Sequence, residues 1–147
     1  MGRKALTATV DEDFQLLSVL GKGGMGVVYA ARQTSLNRQI AIKMIQTADA
    51  REETSQVKFL AEAGVTGGLD HPNIVPVYDV GRTPDGALFY AMKQVSGTSW
   101  DRVLHEKTLE ENLRILMSVC DAIAFAHDRG VIHRDLKPEN IMLGEYG

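Results

Sequence analysis

The sequence has very little cysteine and no hydrophobic run long enough to cross a membrane. Cys120 is the single cysteine in 147 residues, so no disulfide can form within the chain, and a reducing compartment fits. Residues 1–10 contain no apolar segment of the kind found in a secretory signal peptide. The net charge of −3 gives no reason to expect a nucleic-acid partner. We therefore expect a cytoplasmic location, with no membrane segment in these residues and any anchor beyond residue 147.

The spacing of the apolar residues changes from strand-like to helix-like near residue 95. The β-rich runs all lie before that point, at residues 14–20, 27–33, 39–45, 74–80 and 87–93. One helix is predicted among them, and helices dominate the remainder. A short polar linker at residues 95–98 separates the two parts. This pattern predicts an α+β fold.

The helix predicted over residues 52–69 is intrinsically weak. Its pattern places Phe59, Glu62, Thr66 and Leu69 on one side. Glycines in its second half each cost about 1 kcal/mol relative to alanine. Such a helix has to be held by its neighbours, so we expect it to be a movable part.

The helix predicted over residues 109–129 is the clearest in the chain. Thr108 and Glu111 form a capping-box pair, and Gly130 lies where a helix-ending glycine belongs. We expect Cys120 to be buried as a small hydrophobic residue. The predicted apolar stripe consists of Leu113, Leu116, Cys120 and Ile123.

Glycines at 21, 23 and 26 follow the first predicted strand with G-x-G-x-x-G spacing. Without a Cβ, glycine lets the backbone approach a phosphate closely, although an ordinary flexible turn has the same composition. A dinucleotide-binding fold requires a helix to begin at such glycines. A strand follows here instead, which disfavours that fold.

Lys43 lies within an apolar strand, on the same predicted face as the small Ala41. A strand lysine commonly points to solvent, but this position suits a nucleotide beneath the glycine turn. Glu62 has two interpretations. It is either a solvated carboxylate paired with Lys58 four residues earlier, or the ion-pair partner of Lys43.

The residues His133-Arg134-Asp135-Leu136-Lys137-Pro138-Glu139-Asn140 combine the groups that phosphoryl transfer needs. Asp135 can accept a hydroxyl proton, Lys137 can neutralise a migrating phosphate, and Asn140 can hold a metal ion. The same set on one short loop therefore predicts a catalytic site.

The order of glycine turn, strand lysine, helix glutamate and His133–Asn140 loop resembles the Ser/Thr protein kinase family, and most closely its bacterial receptor-type members. The resemblance implies an ATP-binding lobe at residues 14–95, with a five-stranded antiparallel sheet and one helix. It implies an N-terminal extension at residues 1–13 and, at 96–147, the start of a second lobe that ends after the catalytic loop. The implied reaction is transfer of the γ-phosphoryl group from Mg²⁺–ATP to protein Ser or Thr hydroxyls.

The resemblance also implies individual roles. Lys43 would hold the phosphates and Glu62 would orient it, Asp135 would accept the substrate proton, Lys137 would steady the γ-phosphate, and Asn140 would bind Mg²⁺. The remaining nucleotide contacts would come from Leu20, Gly21, Gly23, Gly26, Val28, Ala41, Met92, Lys93, Val95 and Met142. Among these, Met92 would be the gatekeeper, and Lys93 and Val95 would offer backbone groups to the adenine edge.

The 147 residues contain no Asp-Phe-Gly triplet, which in this family supplies the main carboxylate for magnesium. We therefore expect residues 1–147 by themselves to have little or no activity. One alternative is a non-catalytic nucleotide-binding or regulatory module. Another is an unstable product with no separate role.

Overall fold

A computed structural model of the chain describes residues 8–23, 26–46 and 51–146. The chain divides into two compact units. The first comprises Met1–Gly68 and Pro76–Gln94, and the second comprises Leu69–Val75 and Val95–Gly147. No helix in the described ranges is both long enough and apolar enough to span a bilayer.

The first unit contains an antiparallel sheet in which the described residues form six strands, in the order β1-β2-β3-β4-β6-β5. The strands are β1 (Ala8–Asp11), β2 (Phe14–Gly23), β3 (Gly26–Gln33), β4 (Arg38–Ile45), β5 (Val77–Arg82) and β6 (Leu88–Met92). The five strands expected from the sequence are confirmed as β2 to β6. The additional strand, β1, lies in the stretch interpreted as an extension. It has only four residues and forms by pairing with the edge of β2, so no local pattern marks it.

Strand β5 begins three residues later than its apolar run predicts. The backbone N–H of Ile74 donates to His71 O in a tight turn at 3.0 Å, and Pro76 has no N–H for a sheet ladder. The preceding segment is therefore a turn, as the His71-Pro72-Asn73 sequence indicates.

The sheet buries apolar side chains on both faces, because successive residues of a strand point to opposite sides. Ile40 and Ile42 of β4 are fully buried on one face with Phe14 and Phe89, whose rings meet edge to face at 5.8 Å. The other face carries Ile45, Leu88 and Tyr90, and packs against α1 (Glu53–Gly67) through Phe59 and Ala63.

Helix α1 buries about one side chain in each turn. The buried residues Ser55, Phe59 and Ala63 recur every four positions. Of the residues expected on one side of the helix, Phe59, Glu62 and Thr66 lie within α1, whereas Leu69 lies beyond its last residue, Gly67. The small Ala63 allows close approach to the sheet, a role that a search for large apolar residues overlooks.

Asp13, which immediately precedes β2, binds the turn of the β3–β4 hairpin through its carboxylate. Its carboxylate accepts hydrogen bonds from the Ser35 backbone at 2.6 Å, the Ser35 hydroxyl at 2.7 Å, and the Thr34 hydroxyl and Gln33 amide at 3.0 Å. The hydrogen bonds of Ser35 make the largest contribution to lowering the pKa of Asp13 to about 2. The hairpin is thus anchored by an ionised carboxylate.

The second unit is built from β7 (Gly97–Ser99), α2 (Trp100–Val103), α3 (Leu109–Asp128), a 3-10 helix (Pro138–Asn140) and β8 (Met142–Gly144). Strands β7 and β8 pair antiparallel. Trp100 is the first residue of α2. Its ring is buried, and its Nε1–H donates to Asn112 Oδ1 on α3 at 2.8 Å.

Both predicted ends of α3 are confirmed. The Thr108 hydroxyl accepts from the Glu111 N–H, and the Glu111 carboxylate accepts from the Thr108 N–H at 2.7 Å. At the other end, Gly130 has φ of 74°, and its N–H donates to His127 O while Val131 N–H donates to Ala126 O. These two bonds form a Schellman motif that ends the helix.

The expected burial of Cys120 was wrong. Cys120 is exposed, as are Leu113 and Leu116 of the predicted stripe, and Ile123 is half-buried. The buried side of α3 instead carries the small Ala122 and Ala126. The apolar spacing correctly predicts a helix, but which side is covered depends on the elements packed against it.

Candidate functional site

The predicted site residues fall into two clusters, one in each unit. The cluster of the first unit lies on the face of the sheet that packs against α1. Cross-strand pairing aligns Gly21, Val28, Lys43 and Tyr90 in one row over four strands, through the pairs Gly21 with Val28, Val28 with Lys43, and Lys43 with Tyr90. The sheet register therefore places the glycine turn directly beside the strand lysine.

The glycines of the turn differ in their surroundings. A Cβ added at Gly21 or Gly23 would meet no atom within 4 Å. A Cβ at Gly26 would lie 2.9 Å from Met44 O and 3.0 Å from Lys43 Cε. Glycine is therefore required at position 26 for β3 to lie this close to Met44 and Lys43 of β4. Gly21 and Gly23, by contrast, leave open space beside the backbone. Gly24 and Met25 lie outside the described residues.

Lys43 and Glu62 form the ion pair that the sequence suggested. The distance from Lys43 Nζ to Glu62 Oε1 is 2.7 Å, and the side chains are 19% and 40% exposed. Among the described ion pairs, the partner of Glu62 is Lys43 rather than Lys58 on its own helix. The pair links β4 to α1.

The Tyr90 hydroxyl donates a hydrogen bond to the same Glu62 oxygen, also at 2.7 Å. Partial burial alone would raise the pKa of Glu62, but hydrogen bonds from Lys43 and Tyr90 outweigh it and lower that pKa. Burial, together with the adjacent Glu62 carboxylate, raises the pKa of Tyr90. Glu62 is therefore ionised and Tyr90 protonated at neutral pH.

The other nucleotide-contact candidates of the first unit surround this row. Ala41 is buried and pairs with Met92 across β4 and β6, and Val28 and Met92 are half-buried. Leu20 is 51% exposed at the end of β2. The backbone N–H of Lys93 donates to Pro76 O at 3.0 Å, so any contact of this residue with a base would have to come from its carbonyl.

The cluster of the second unit is the loop from His133 to Asn140. The Asn140 side-chain NH₂ donates to the Asp135 carbonyl at 2.8 Å and to its carboxylate Oδ2 at 3.3 Å. Lys137 Nζ lies 3.5 Å from Asp135 Oδ1, and His133 Nδ1 accepts from the Asp135 N–H at 3.2 Å. The loop thus holds Asp135 from three sides while its carboxylate remains exposed.

The backbone of this loop explains why these residues converge. Arg134 has φ of 69°, a left-handed conformation that costs energy for a residue other than glycine. Pro138 then starts the 3-10 helix, and the N–H of Asn140 donates to Lys137 O. The reversal at Arg134 and the tight helical turn bring Asn140 back to Asp135.

The oxygen groups of this loop suit a magnesium ion, although they do not complete a site. Because the Asn140 NH₂ donates to Asp135, its side-chain oxygen is the atom left for a cation. Carboxylate and amide oxygens are the ligands that Mg²⁺ takes in proteins, together with substrate phosphates. No cluster of three or more His, Cys, Asp or Glu that could hold a metal occurs among the residues that the structure describes.

Val95 and Met142 also belong to the second unit. Met142 is 44% exposed on β8, opposite Ser99 of β7. Val95 is half-buried, and its Cγ1 would lie 3.9 Å from a Cβ placed on Gly144. The structure therefore places both residues near the β7–β8 pair.

Sequence reasoning overlooked Tyr90 as a member of the first cluster. The sequence could have indicated this, because Tyr90 and Met92 are two residues apart and therefore point to the same face of their strand. Tyr90 lies opposite Lys43 when the two strands pair in the observed register. The register itself, however, depends on the sheet. His133 was noted as part of the motif, but its hydrogen bond to the Asp135 backbone was not foreseen.

Comparisons with known proteins find a family match over most of this chain. The protein kinase domain model matches residues 14–147. Serine/threonine-protein kinase PknD of Protochlamydia amoebophila is 37% identical over 154 residues, covering 94% of this chain and 16% of that protein. Serine/threonine-protein kinase pkn3 of Myxococcus xanthus is 41% identical over 138 residues, covering 92% and 25%.

A solved structure shows the same fold. The crystal structure of the Mycobacterium tuberculosis PknI kinase domain superposes with a TM-score of 0.76 at 30% identity, covering 98% of this chain and 60% of that one. The chain thus spans a quarter or less of these curated relatives and three fifths of the solved domain.

Proposed function

Because this chain belongs to the protein kinase family, and its named relatives are serine/threonine-protein kinases, we propose that the whole protein transfers the γ-phosphoryl group of Mg²⁺–ATP to Ser or Thr hydroxyls of a protein substrate. The observation that carries this proposal is the ion pair between Lys43 and Glu62, at 2.7 Å beside the glycine turn. A strand lysine with a purely structural role does not require a helix carboxylate at hydrogen-bond distance.

In this proposal residues 14–95 form the ATP-binding lobe, and β1 of the extension at 1–13 adds an edge strand to its sheet. Lys43 neutralises phosphate oxygens, and Glu62 keeps the ammonium group in place. The open backbone at Gly21 and Gly23 leaves space for the phosphates. Leu20, Val28, Ala41 and Met92 of the first unit contact the adenine, with the backbone carbonyl of Lys93. Val95 and Met142 of the second unit are assigned as adenine contacts from the family resemblance alone.

Residues 96–147 supply the reacting groups in this proposal. Asp135 accepts the proton of the substrate hydroxyl, and Lys137 neutralises charge on the γ-phosphate. The Asn140 oxygen is a ligand for Mg²⁺, which when bound stabilises the negative charge that develops on the phosphate. The exposure of Asp135 leaves its carboxylate accessible to a protein hydroxyl.

Nucleotide binding by the 147-residue chain tests the first half of the proposal. Titration with Mg²⁺–ATP in a calorimeter should show binding that Lys43→Met weakens by about tenfold or more, since a charged contact to phosphate is lost. Lys58→Met, which removes an exposed lysine from α1, should bind as the parent chain does. No ATP binding by the parent chain would contradict the proposal.

Transfer of radiolabelled γ-phosphate to a generic protein substrate tests the second half. We expect residues 1–147 alone to transfer little, because they contain no Asp-Phe-Gly triplet to supply the main carboxylate for magnesium. Robust transfer that Asp135→Asn abolishes would contradict this expectation. ATP binding that is independent of Mg²⁺, with no transfer by a longer chain, would instead favour a non-catalytic nucleotide-binding module.

A further inference from the structure

Tyr90 occupies an unusual position beside the Lys43–Glu62 ion pair. It lies on β6 directly across from Lys43 on β4, and only 6% of its surface is exposed. Its hydroxyl and the Lys43 ammonium both donate to one atom, Glu62 Oε1, and each distance is 2.7 Å. The position of Glu62 Oε1 therefore depends on two hydrogen-bond donors from neighbouring strands.

Tyr90 also contacts α1 one helical turn before Glu62. Its ring centroid lies 5.2 Å from that of Phe59, which is fully buried. Phe59 and Glu62 are three residues apart, so they lie on the same side of the helix. One side chain of the sheet thus holds α1 by an apolar and a polar contact, which together restrict its rotation about its own axis.

Helix α1 has few other means of holding this orientation. Its N-cap residue Glu52 makes no side-chain cap to the backbone, and only Ser55, Phe59 and Ala63 are buried. Gly64, inside the helix, lowers its intrinsic stability by about 1 kcal/mol relative to alanine. The direction of the Glu62 side chain is therefore determined largely by its contacts with the sheet.

We propose that Tyr90 is a positioning residue of the nucleotide site, and that its hydroxyl holds the Glu62 carboxylate where the carboxylate pairs with Lys43. This inference rests on the proposed function, in which Lys43 binds the phosphates. Tyr90 itself touches Glu62 and acts on the nucleotide through the ion pair. A simpler role, in which the hydroxyl only satisfies its own hydrogen-bonding need, would leave Glu62 and Lys43 unaffected when it is removed.

Tyr90→Phe removes the hydroxyl while keeping the ring against Phe59. A hydrogen bond to a charged group should be lost, so Glu62, followed by its carboxyl carbon in NMR, should titrate at a higher pH than in the parent chain. The affinity for Mg²⁺–ATP should fall by about five- to tenfold. Tyr78→Phe, which removes an exposed hydroxyl from β5 of the same sheet, should change neither quantity.

The double variant Tyr90→Phe with Glu62→Gln shows whether Tyr90 acts through Glu62. If it does, Tyr90→Phe should have little further effect on ATP affinity once Glu62 is neutral. Equal losses in both backgrounds would overturn the proposal. An unchanged Glu62 titration in Tyr90→Phe would also overturn it, even if Lys43→Met still weakened ATP binding.

The parent chain alone provides a measurement that does not depend on any variant folding. The carbon bearing the Tyr90 hydroxyl and the Lys43 ammonium nitrogen should both change their NMR shifts at the pH where Glu62 titrates. A Tyr90 signal that does not respond at that pH would overturn the proposal. If ATP fails to bind but these coupled shifts occur, the proposed function is wrong, whereas the inference that the Tyr90 hydroxyl positions Glu62 is supported.

Discussion

Phe59→Ala should separate α1 from the sheet. Phe59 is fully buried between α1 and the sheet, where it belongs to a cluster with Ile45, Leu88 and Tyr90. Replacing a buried phenylalanine by alanine costs about 3–5 kcal/mol, through lost burial and the cavity that remains. A domain of this size has a total stability of about 5–15 kcal/mol. The expected loss is therefore a substantial fraction of the first unit's free energy of unfolding.

Urea unfolding followed by NMR signals of β4 and β6 amides measures this loss in the first unit directly. With a loss of about 4 kcal/mol and a slope of about 2 kcal/mol per molar, the midpoint should fall by about 2 M. The single tryptophan, Trp100, belongs to the second unit, so its fluorescence is not the right probe. The matched control is Val57→Ala on the same helix, where the side chain is 61% exposed and the change should stay within about 0.5 kcal/mol. A loss below about 1 kcal/mol for Phe59→Ala would refute the reasoning that α1 is held by this contact.

Three further outcomes are expected. Gly26→Ala should destabilise the chain by about 1–3 kcal/mol and weaken ATP binding, because the added Cβ would lie 2.9 Å from a backbone oxygen. Gly21→Ala, where a Cβ meets no atom within 4 Å, should leave the stability in urea unchanged. Equal stability of the two variants would contradict this reasoning. Asp13 has its pKa lowered from 3.8 to about 2, chiefly by hydrogen bonds from Ser35, so its stabilising effect is present above about pH 4 and lost as the pH falls towards 2. Urea midpoints measured across that interval should therefore fall less steeply in Asp13→Ala than in the parent chain, and parallel curves would argue against the carboxylate anchor. Thr108→Ala removes the helix cap of α3 and should cost about 1 kcal/mol in urea unfolding, while Thr108→Ser should cost much less.

Features that depend on near neighbours in the chain were predictable. The capping box at Thr108 and Glu111 and the terminating Gly130 were correct because each involves contacts within one helical turn. The five main strands were recognisable because each is a short run rich in β-forming residues, which is a local property of the sequence. The His133–Asn140 loop was recognisable because its reacting groups lie within eight consecutive residues.

Features that depend on distant partners were predicted poorly. Strand β1 exists through pairing with β2, and β5 begins late because of a turn and a proline. The burial of α3 was assigned to its large apolar residues, including Cys120, but the covered side carries Ala122 and Ala126. Apolar spacing locates a helix, whereas the neighbouring elements decide which of its sides is in contact.

The candidate site divides in the same way. The sequence by itself determined which chemical groups are present: a strand lysine, a helix carboxylate, a glycine turn and an Asp–Lys–Asn loop. The tertiary structure decided which of them meet, because Lys43 and Glu62 are nineteen residues apart and join only when β4 and α1 pack together. The register of β6 with β4 also places Tyr90 within hydrogen-bond distance of Glu62, although the two residues are twenty-eight positions apart in the sequence. Local chemistry is carried by residue type and spacing, while a hydrogen bond between distant segments requires the backbone geometry that only the packed sheet and helix provide.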